Sequence, residues 1–190
     1  MAGSDAQRER LELAATVADH IQILDVILSE TKAVRTPGKR SDLRDAGIET
    51  DVSTVFSANE ELNTLSVLAR FHLHASRADD PKQRLLSIEA EFVLIYRVSS
   101  MEGLTQKHFE AFANANGVFN AWPYWREYVH SMTQRMGLDA LVVPVFRVTG
   151  RKPTTAKVAA NTQAKEIDRP CSPQEKPQGK AGKRRGPRKS

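Results

Sequence analysis

Histidines and carboxylates are the side chains of this chain that could bind a metal or move protons. His72 and His74 alternate on one face of a predicted strand, and His20 could join them in a two- or three-histidine metal site. Glu89 and Glu91 alternate in the same way on the next predicted strand, where paired carboxylates could act as acid and base. The solvated face of a sheet also produces such alternation. We therefore interpret both pairs as a charged outer face and predict no metal site.

The single cysteine, Cys171, is the other candidate for chemistry. It lies between Pro170 and Ser172, without the structured histidine neighbour that activates a thiolate nucleophile. One cysteine forms no intramolecular disulfide, which fits a reducing compartment. The sequence has no phosphate-binding glycine loop, no dinucleotide-binding glycine pattern and no paired-cysteine motif. We predict a protein that is not an enzyme and uses no cofactor.

Charge divides the chain into two parts. Residues 150–190 contain 12 of the 28 Lys and Arg residues but only 3 of the 23 Asp and Glu residues. This tail is therefore about nine charges positive, whereas residues 1–149, with 16 basic and 20 acidic residues, are about four charges negative. The tail is rich in Pro, Lys, Gln and Gly, and such a composition cannot form a core. We predict that it is disordered.

The distribution of apolar residues along the chain indicates where in the cell the protein is expected. No segment approaches the roughly 20 apolar residues of a membrane span. The first 20 residues carry scattered charges and lack the uninterrupted apolar stretch of a secretory signal. We expect a cytoplasmic protein that does not insert into membranes.

Alternating polarity predicts four strands in the first half of the chain. Residues 20–29 alternate with a phase slip at Leu24 and Asp25, which is typical of a bulge, and residues 48–56 form a second strand. An Asp-Asp-Pro turn at residues 78–83 joins two longer strands. Together they predict an antiparallel sheet with one buried face. That face carries Leu65, Val67, Ala69, Phe71 and Leu73 on the third strand, and Leu86, Ile88, Ala90, Phe92, Leu94 and Tyr96 on the fourth.

A pair of helices is predicted after the strands. Thr105 could cap the first, and Gly117 could end it in the left-handed conformation that glycine favours. The second is expected to begin near Asn120, with Pro123 in its first turn, and to end at Gly137. The fold class is therefore α+β, with a four-stranded antiparallel sheet packed by a long C-terminal helix pair.

The same patterns give the domain organisation. We predict an N-terminal arm at residues 1–18, part of which could be a short helix, one domain at residues 19–149, and the tail at residues 150–190. Residues 141–148 are β-branched but contain Pro144. They are expected to form an edge strand or an extended segment lying over the domain.

Five of the chain's twelve aromatic residues lie in residues 117–136. Aromatic and methionine side chains supply apolar, adaptable surface that tolerates varied partners. An amphipathic stripe of this kind is also what core packing produces, so which flank is core and which is surface stays open. The candidate binding or subunit-interface residues are Phe119, Trp122, Tyr124, Trp125, Val129, Met132 and Met136.

This segment resembles the SecB export chaperones. The resemblance covers about residues 21–148. It rests on a Pro-Tyr-X-Arg-Glu helix that follows the strands, and on two shorter matches beside it. The matching residues are Pro123, Tyr124, Arg126 and Glu127, then Ser131, Met132 and Arg135, preceded by Met101, Glu102 and Gly103.

The resemblance implies a four-stranded sheet backed by a long helix, assembled as a homotetramer that is a dimer of dimers. It implies ATP-independent binding of unfolded polypeptides in apolar grooves, with Pro123, Arg126 and Glu127 as structural motif residues. Members of the family deliver cargo to the motor SecA, and other branches serve an antitoxin in toxin–antitoxin systems. An acidic outer face that could dock SecA would comprise Glu49, Asp51, Glu89 and Glu91. Typical export members end in a further helix, whereas a basic tail takes that place here.

Two other functions are kept as alternatives. The final nine residues contain five Lys and Arg, so the tail could contact nucleic acid or the ribosome through phosphates. A small-molecule-binding α+β pocket domain is the second alternative. Such domains usually place helices before the sheet and bring a polar acid–base pair into an apolar cavity, and neither pattern is evident.

Overall fold

The computed structural model describes residues 2–37, 43 and 45–146. The strands form one sheet, and the helices lie before and after it in the chain. No helix among these residues is long and apolar enough to cross a membrane. The predicted basic tail and Cys171 lie outside the described residues. The elements are α1 (Ala2–Ala18), β1 (Ile21–Arg35), β2 (Gly47–Asn59), β3 (Thr64–Ser76), β4 (Arg84–Val98), α2 (Gln106–Phe112), a π-helical turn (Ala113–Gly117) and α3 (Val118–Arg135).

The four strands form the predicted antiparallel sheet, in the order β1-β4-β3-β2. The chain therefore crosses from one edge of the sheet to the other between β1 and β2. Leu73 opposite Ile88 and Val67 opposite Leu94 illustrate the register of the two central strands. Every residue predicted on the inner face of β3 and β4 is buried. The alternation of the sequence thus identified the core face correctly.

Strand β1 is longer and more irregular than the sequence indicated. Its register with β4 shifts between Ile23 and Asp25, which confirms the predicted bulge. A second shift lies between Leu28 and Glu30, and pairing continues to Arg35. Two bulges in one strand increase its local twist and change which side chains face the helices.

The prediction of two separate helices is wrong. The helical backbone continues from α2 through the π-helical turn into α3, and Gly117 has a right-handed φ of −58°. Gly117 therefore does not end a helix. A Cβ atom at this position would lie 2.8 Å from Cγ1 of Val67, so glycine is required by close packing on β3.

The continuous helix changes two further predictions. Asn120 is not an N-cap, since it lies inside α3, where its amide donates a hydrogen bond to the phenol oxygen of Tyr96 (3.1 Å). Pro123 also lies inside α3 and removes the hydrogen bond that a normal amide would make to the carbonyl of Phe119. The predicted end of this helix is confirmed. Gly137 has φ of +71°, and the Leu138 amide bonds to the Thr133 carbonyl as in a Schellman motif.

The N-terminal segment is an ordered helix. Helix α1 packs against α2, and its residues Ala14 and Val17 are buried. Of the two states open for this segment, a short helix and a loose arm, the helix is the observed one, at Ala2–Ala18, and its Val17 adds to the core.

Candidate functional site

Phe71 of β3 lies at the centre of an aromatic cluster beneath α3. Trp125 stacks on it with ring centroids 5.3 Å apart and an interplanar angle of 12°, and Trp122 meets it edge-on at 5.8 Å. Trp125 and Val129 are completely buried. These two of the seven candidate residues belong to the core of this chain and present no surface to a partner.

Two candidates of α3 reach solvent, one on each side of the buried stripe. Phe119 is 53% exposed and Tyr124 is 48% exposed. Trp122, Met132 and Met136 are partly buried and pack against the core cluster. The stripe predicted from the sequence is therefore divided, with Trp125 and Val129 in the core and Phe119 and Tyr124 at the surface on either side of it.

Residues 141–146 lie along α3 without joining the sheet. The indole Nε1 of Trp122 donates a hydrogen bond to the carbonyl of Pro144 (2.8 Å), and Nε of Arg126 donates one to the carbonyl of Val143 (2.8 Å). The rings of Trp122 and Phe146 are 5.1 Å apart. Of the two predicted states, the extended segment over the domain is the observed one for these six residues.

Three residues of the Pro-Tyr-X-Arg-Glu motif, Pro123, Arg126 and Glu127, line a cleft between α3 and this segment. Its volume is about 240 Å³. Arg126 is partly buried and holds the segment, whereas Pro123, Tyr124 and Glu127 are exposed. The cleft is lined by Pro123, Arg126, Glu127, His130, Val142 and Val143.

The carboxylates predicted on the outer face of the sheet do share that face. Glu89 of β4 and Asp51 of β2 lie on either side of His72, and Glu49 lies opposite His74. The Glu91 carboxylate forms an ion pair with Arg70. Within the described residues no three His, Cys, Asp or Glu side chains are grouped so as to hold a metal ion. The Arg70–Glu91 pair and the neighbouring carboxylates give this face charges of both signs.

An apolar row across the outer face was not anticipated. Cross-strand pairing places Ile27, Val93, Leu68 and Val55 side by side over all four strands. Ile27 is 43% and Val55 65% exposed. The signal was present in β1, where apolar residues occupy both alternation phases and cannot all face the core.

Burial changes the acidity of one side chain near the helix. Tyr96 is buried under the helix, and this desolvation raises the pKa of its phenol above the usual value of 10.0. The hydrogen bond from Asn120 acts in the opposite direction and lowers that pKa.

No protein-family model and no curated protein sequence matches the chain. The SecB-like chaperone Rv1957 of Mycobacterium tuberculosis, solved in complex with a ChAD peptide from the Rv1956 HigA1 antitoxin, has a similar structure, with a TM-score of 0.65 and 22% sequence identity. The similarity covers 73% of this chain and 99% of that one. A protein of unknown function from Streptococcus agalactiae aligns over 65% of this chain and 96% of its own, with a TM-score of 0.42 and 6% identity. The sheet and the long helix of this chain therefore form the SecB-like fold that the resemblance of its sequence predicted.

Proposed function

We propose that this chain is a subunit of an ATP-independent chaperone that holds unfolded or nascent polypeptides. The observation that carries the proposal is the amount of large apolar side chain left exposed on a chain with the SecB-like fold. Exposed apolar residues that lie together mark surfaces for other chains. Those on β1 and α3 are Ile23, Leu24, Ile27, Leu28, Val34, Phe119 and Tyr124.

The two surfaces have different proposed roles. Strand β1 is an edge of the sheet and exposes Leu28 on the face toward α3 and Ile27 on the outer face. An edge strand that is apolar on both faces favours pairing with another chain, and we assign it to self-association within a homotetramer. Helix α3 is assigned to the client. Burial of one client aromatic side chain there would contribute about 1.5–3 kcal/mol.

The chemistry of this surface fits more than one kind of client. The structural neighbour holds an antitoxin peptide, which supports an antitoxin as client in a toxin–antitoxin system. Protein export is the other assignment, and for it we propose Glu49, Asp51, Glu89 and Glu91 as the docking face for SecA. In either case the protein acts in the cytoplasm by binding and without catalysis.

An aggregation assay tests the proposal. A chemically unfolded client is diluted into buffer without ATP, in the presence of the full-length protein, and light scattering is followed. We expect suppression of aggregation at roughly stoichiometric subunit concentrations, insensitive to salt because apolar burial is not screened. A chain ending after Val148, checked by circular dichroism, should act equally well. If neither protein suppresses aggregation, the chaperone proposal is wrong. If only the full-length chain does and salt abolishes the effect, the basic tail is the active element.

A further inference from the structure

Residues 141–146, which we call the strap, run antiparallel to α3. The amide of Leu141 bonds to the Thr133 hydroxyl (3.1 Å). Farther along, Val143 lies at Arg126 and Pro144 at Trp122. The strap thus follows α3 for about three turns, from Thr133 back to Trp122.

Trp122 and Arg126 contact the strap through its backbone. Their N–H groups are four residues apart, one helical turn, and they donate to the carbonyls of two consecutive strap residues. Every amino acid carries such a carbonyl. This pair of donors can therefore hold an extended peptide whatever its side chains are, which is the recognition that a binder of varied unfolded segments requires.

The strap places some of its side chains against the protein and the others in solvent. Val143 is buried, with 4% exposure, and Phe146 packs on Trp122. Val142 and Val145 are 58% and 56% exposed. Leu141 also packs against the core, at the start of the strap. Val143 and Phe146 are two inward apolar anchors beside the carbonyl contacts, and such pairs are common in unfolded chains. The strap therefore has the chemistry of a bound client.

Few hydrogen bonds hold the strap in place. Within the described residues, those of the strap go to the side chains of Trp122, Arg126 and Thr133, and none joins it backbone to backbone to the sheet or to a helix. A competing extended peptide could replace the two carbonyl contacts and the two apolar anchors one for one. Gly137 and the buried Leu138 would keep the end of α3 in place during the exchange.

We propose that the strap occupies, within its own chain, a binding site for an extended apolar polypeptide segment, and that a client segment replaces it on Trp122 and Arg126. This inference rests on the proposed chaperone function, and adds to it a location and a form of autoinhibition. The preferred segment has a branched aliphatic residue where Val143 lies and an aromatic residue where Phe146 lies. A segment lacking both anchors would not displace the strap.

Peptide binding to the full-length protein tests the site. The probe is a fluorescein-labelled peptide with the sequence of the strap, LVVPVF, blocked at its carboxyl end, and binding is measured by anisotropy. The double variant Val143→Ser with Phe146→Ser weakens the strap and should bind the probe at least tenfold more tightly than the parent. Adding Trp122→Phe, which keeps a ring but loses the N–H donor, should remove most of that gain. Val145→Ser, at an exposed strap position, is the matched control and should bind as the parent does.

The inference is overturned if the double variant is folded, as judged by circular dichroism and its melting temperature, yet binds the probe no more tightly than the parent. If the double variant does not fold, hydrogen exchange on the parent decides. Added unlabelled peptide should then speed exchange of the Leu141 amide, the strap amide that donates a hydrogen bond, and leave α3 protected, and an unchanged Leu141 amide rejects the site. If the parent suppresses aggregation but the peptide-binding or exchange result goes against the strap, only this inference is rejected. A parent without aggregation suppression rejects the proposed function itself.

Discussion

Gly117 of the helix and Val67 of β3 approach so closely that a methyl group on Gly117 would lie 2.8 Å from a methyl carbon of Val67. Both residues are buried. The contact lies at the π-helical turn, between α2 and the aromatic part of α3. It therefore sets how closely the helix approaches the sheet, and so where Trp122 and Trp125 meet Phe71.

The first prediction is that a side chain on Gly117 destabilises the fold. Gly117→Val should lower the free energy of unfolding by about 1–3 kcal/mol, because the core is overpacked. In Gly117→Ala the loss of unfolding free energy should be smaller, because alanine favours the helix over glycine by about 1 kcal/mol and this offsets part of the cost of the clash. Urea denaturation measures both.

Two further variants isolate the clash. Gly47→Ala is the matched control, since nothing lies within 4 Å of a Cβ atom there, and its effect should stay within about 0.5 kcal/mol. Val67→Ala should make room for the methyl group that Gly117→Ala introduces. The loss of unfolding free energy in the double variant should therefore be smaller, by at least about 0.5 kcal/mol, than the sum of the losses in the two single variants. Additive effects would show that the contact with Val67 is not the reason for glycine.

This contact also shows which features of the fold could not be predicted from the sequence. The strands, the first bulge of β1 and the buried face of the sheet followed from alternation, which is a local pattern. Gly117 and Asn120 carried local signals for a helix end and a helix start, and both were misleading. Glycine at position 117 is explained instead by its close approach to Val67, a residue 50 positions earlier, and a local sequence pattern does not report a contact over that separation.

For the candidate site too, the sequence predicted the elements but not the contacts between them. The sequence placed Trp122, Tyr124 and Trp125 on one helix, but only the position of Phe71 on the sheet decides that Trp125 is core and Tyr124 is surface. The strap sequence was compatible with an edge strand or an extended segment. Its contacts with Trp122 and Arg126 are tertiary and left no periodic signal.

The second prediction separates core from surface on α3. Trp125→Ala should lower the free energy of unfolding by about 3–5 kcal/mol, since it empties a buried site beside Phe71. Phe119→Ala, at an exposed position, should change it by no more than about 0.5 kcal/mol. Tyr124→Ala also removes a ring that lies 6.4 Å from the ring of Phe92, so it should cost about 0.5–1.5 kcal/mol. Both should nevertheless weaken suppression of client aggregation. If the two surface variants hold the client as well as the parent, these exposed positions of α3 are not the client surface.

The third prediction concerns the edge strand β1. Ile27→Asp with Leu28→Asp places a charge on each face of the strand at positions already more than 40% exposed, so the folded subunit should persist. Self-association should be lost, because burying an unpaired carboxylate at an interface is strongly unfavourable. Size-exclusion chromatography with light scattering at micromolar concentration measures it. Val55→Asp, on the other edge strand and 65% exposed, is the control and should leave assembly unchanged. A parent protein that is monomeric at that concentration would contradict the assignment.

The fourth prediction is a loss of stability at alkaline pH that depends on Tyr96. Burial raises the pKa of this phenol in the folded chain above 10.0, so the folded state keeps a proton that the unfolded state loses. The resulting stability is fully present below pH 10 and is lost as pH rises from there through the folded pKa. Urea denaturation at pH 8 to 11 should therefore show a steeper alkaline decline for the parent than for Tyr96→Phe. Asn120→Ala removes the hydrogen bond that lowers the pKa of Tyr96, so it should extend the decline to higher pH. Equal alkaline slopes in the parent and Tyr96→Phe would show that the phenol of Tyr96 ionises alike in the folded and unfolded chains.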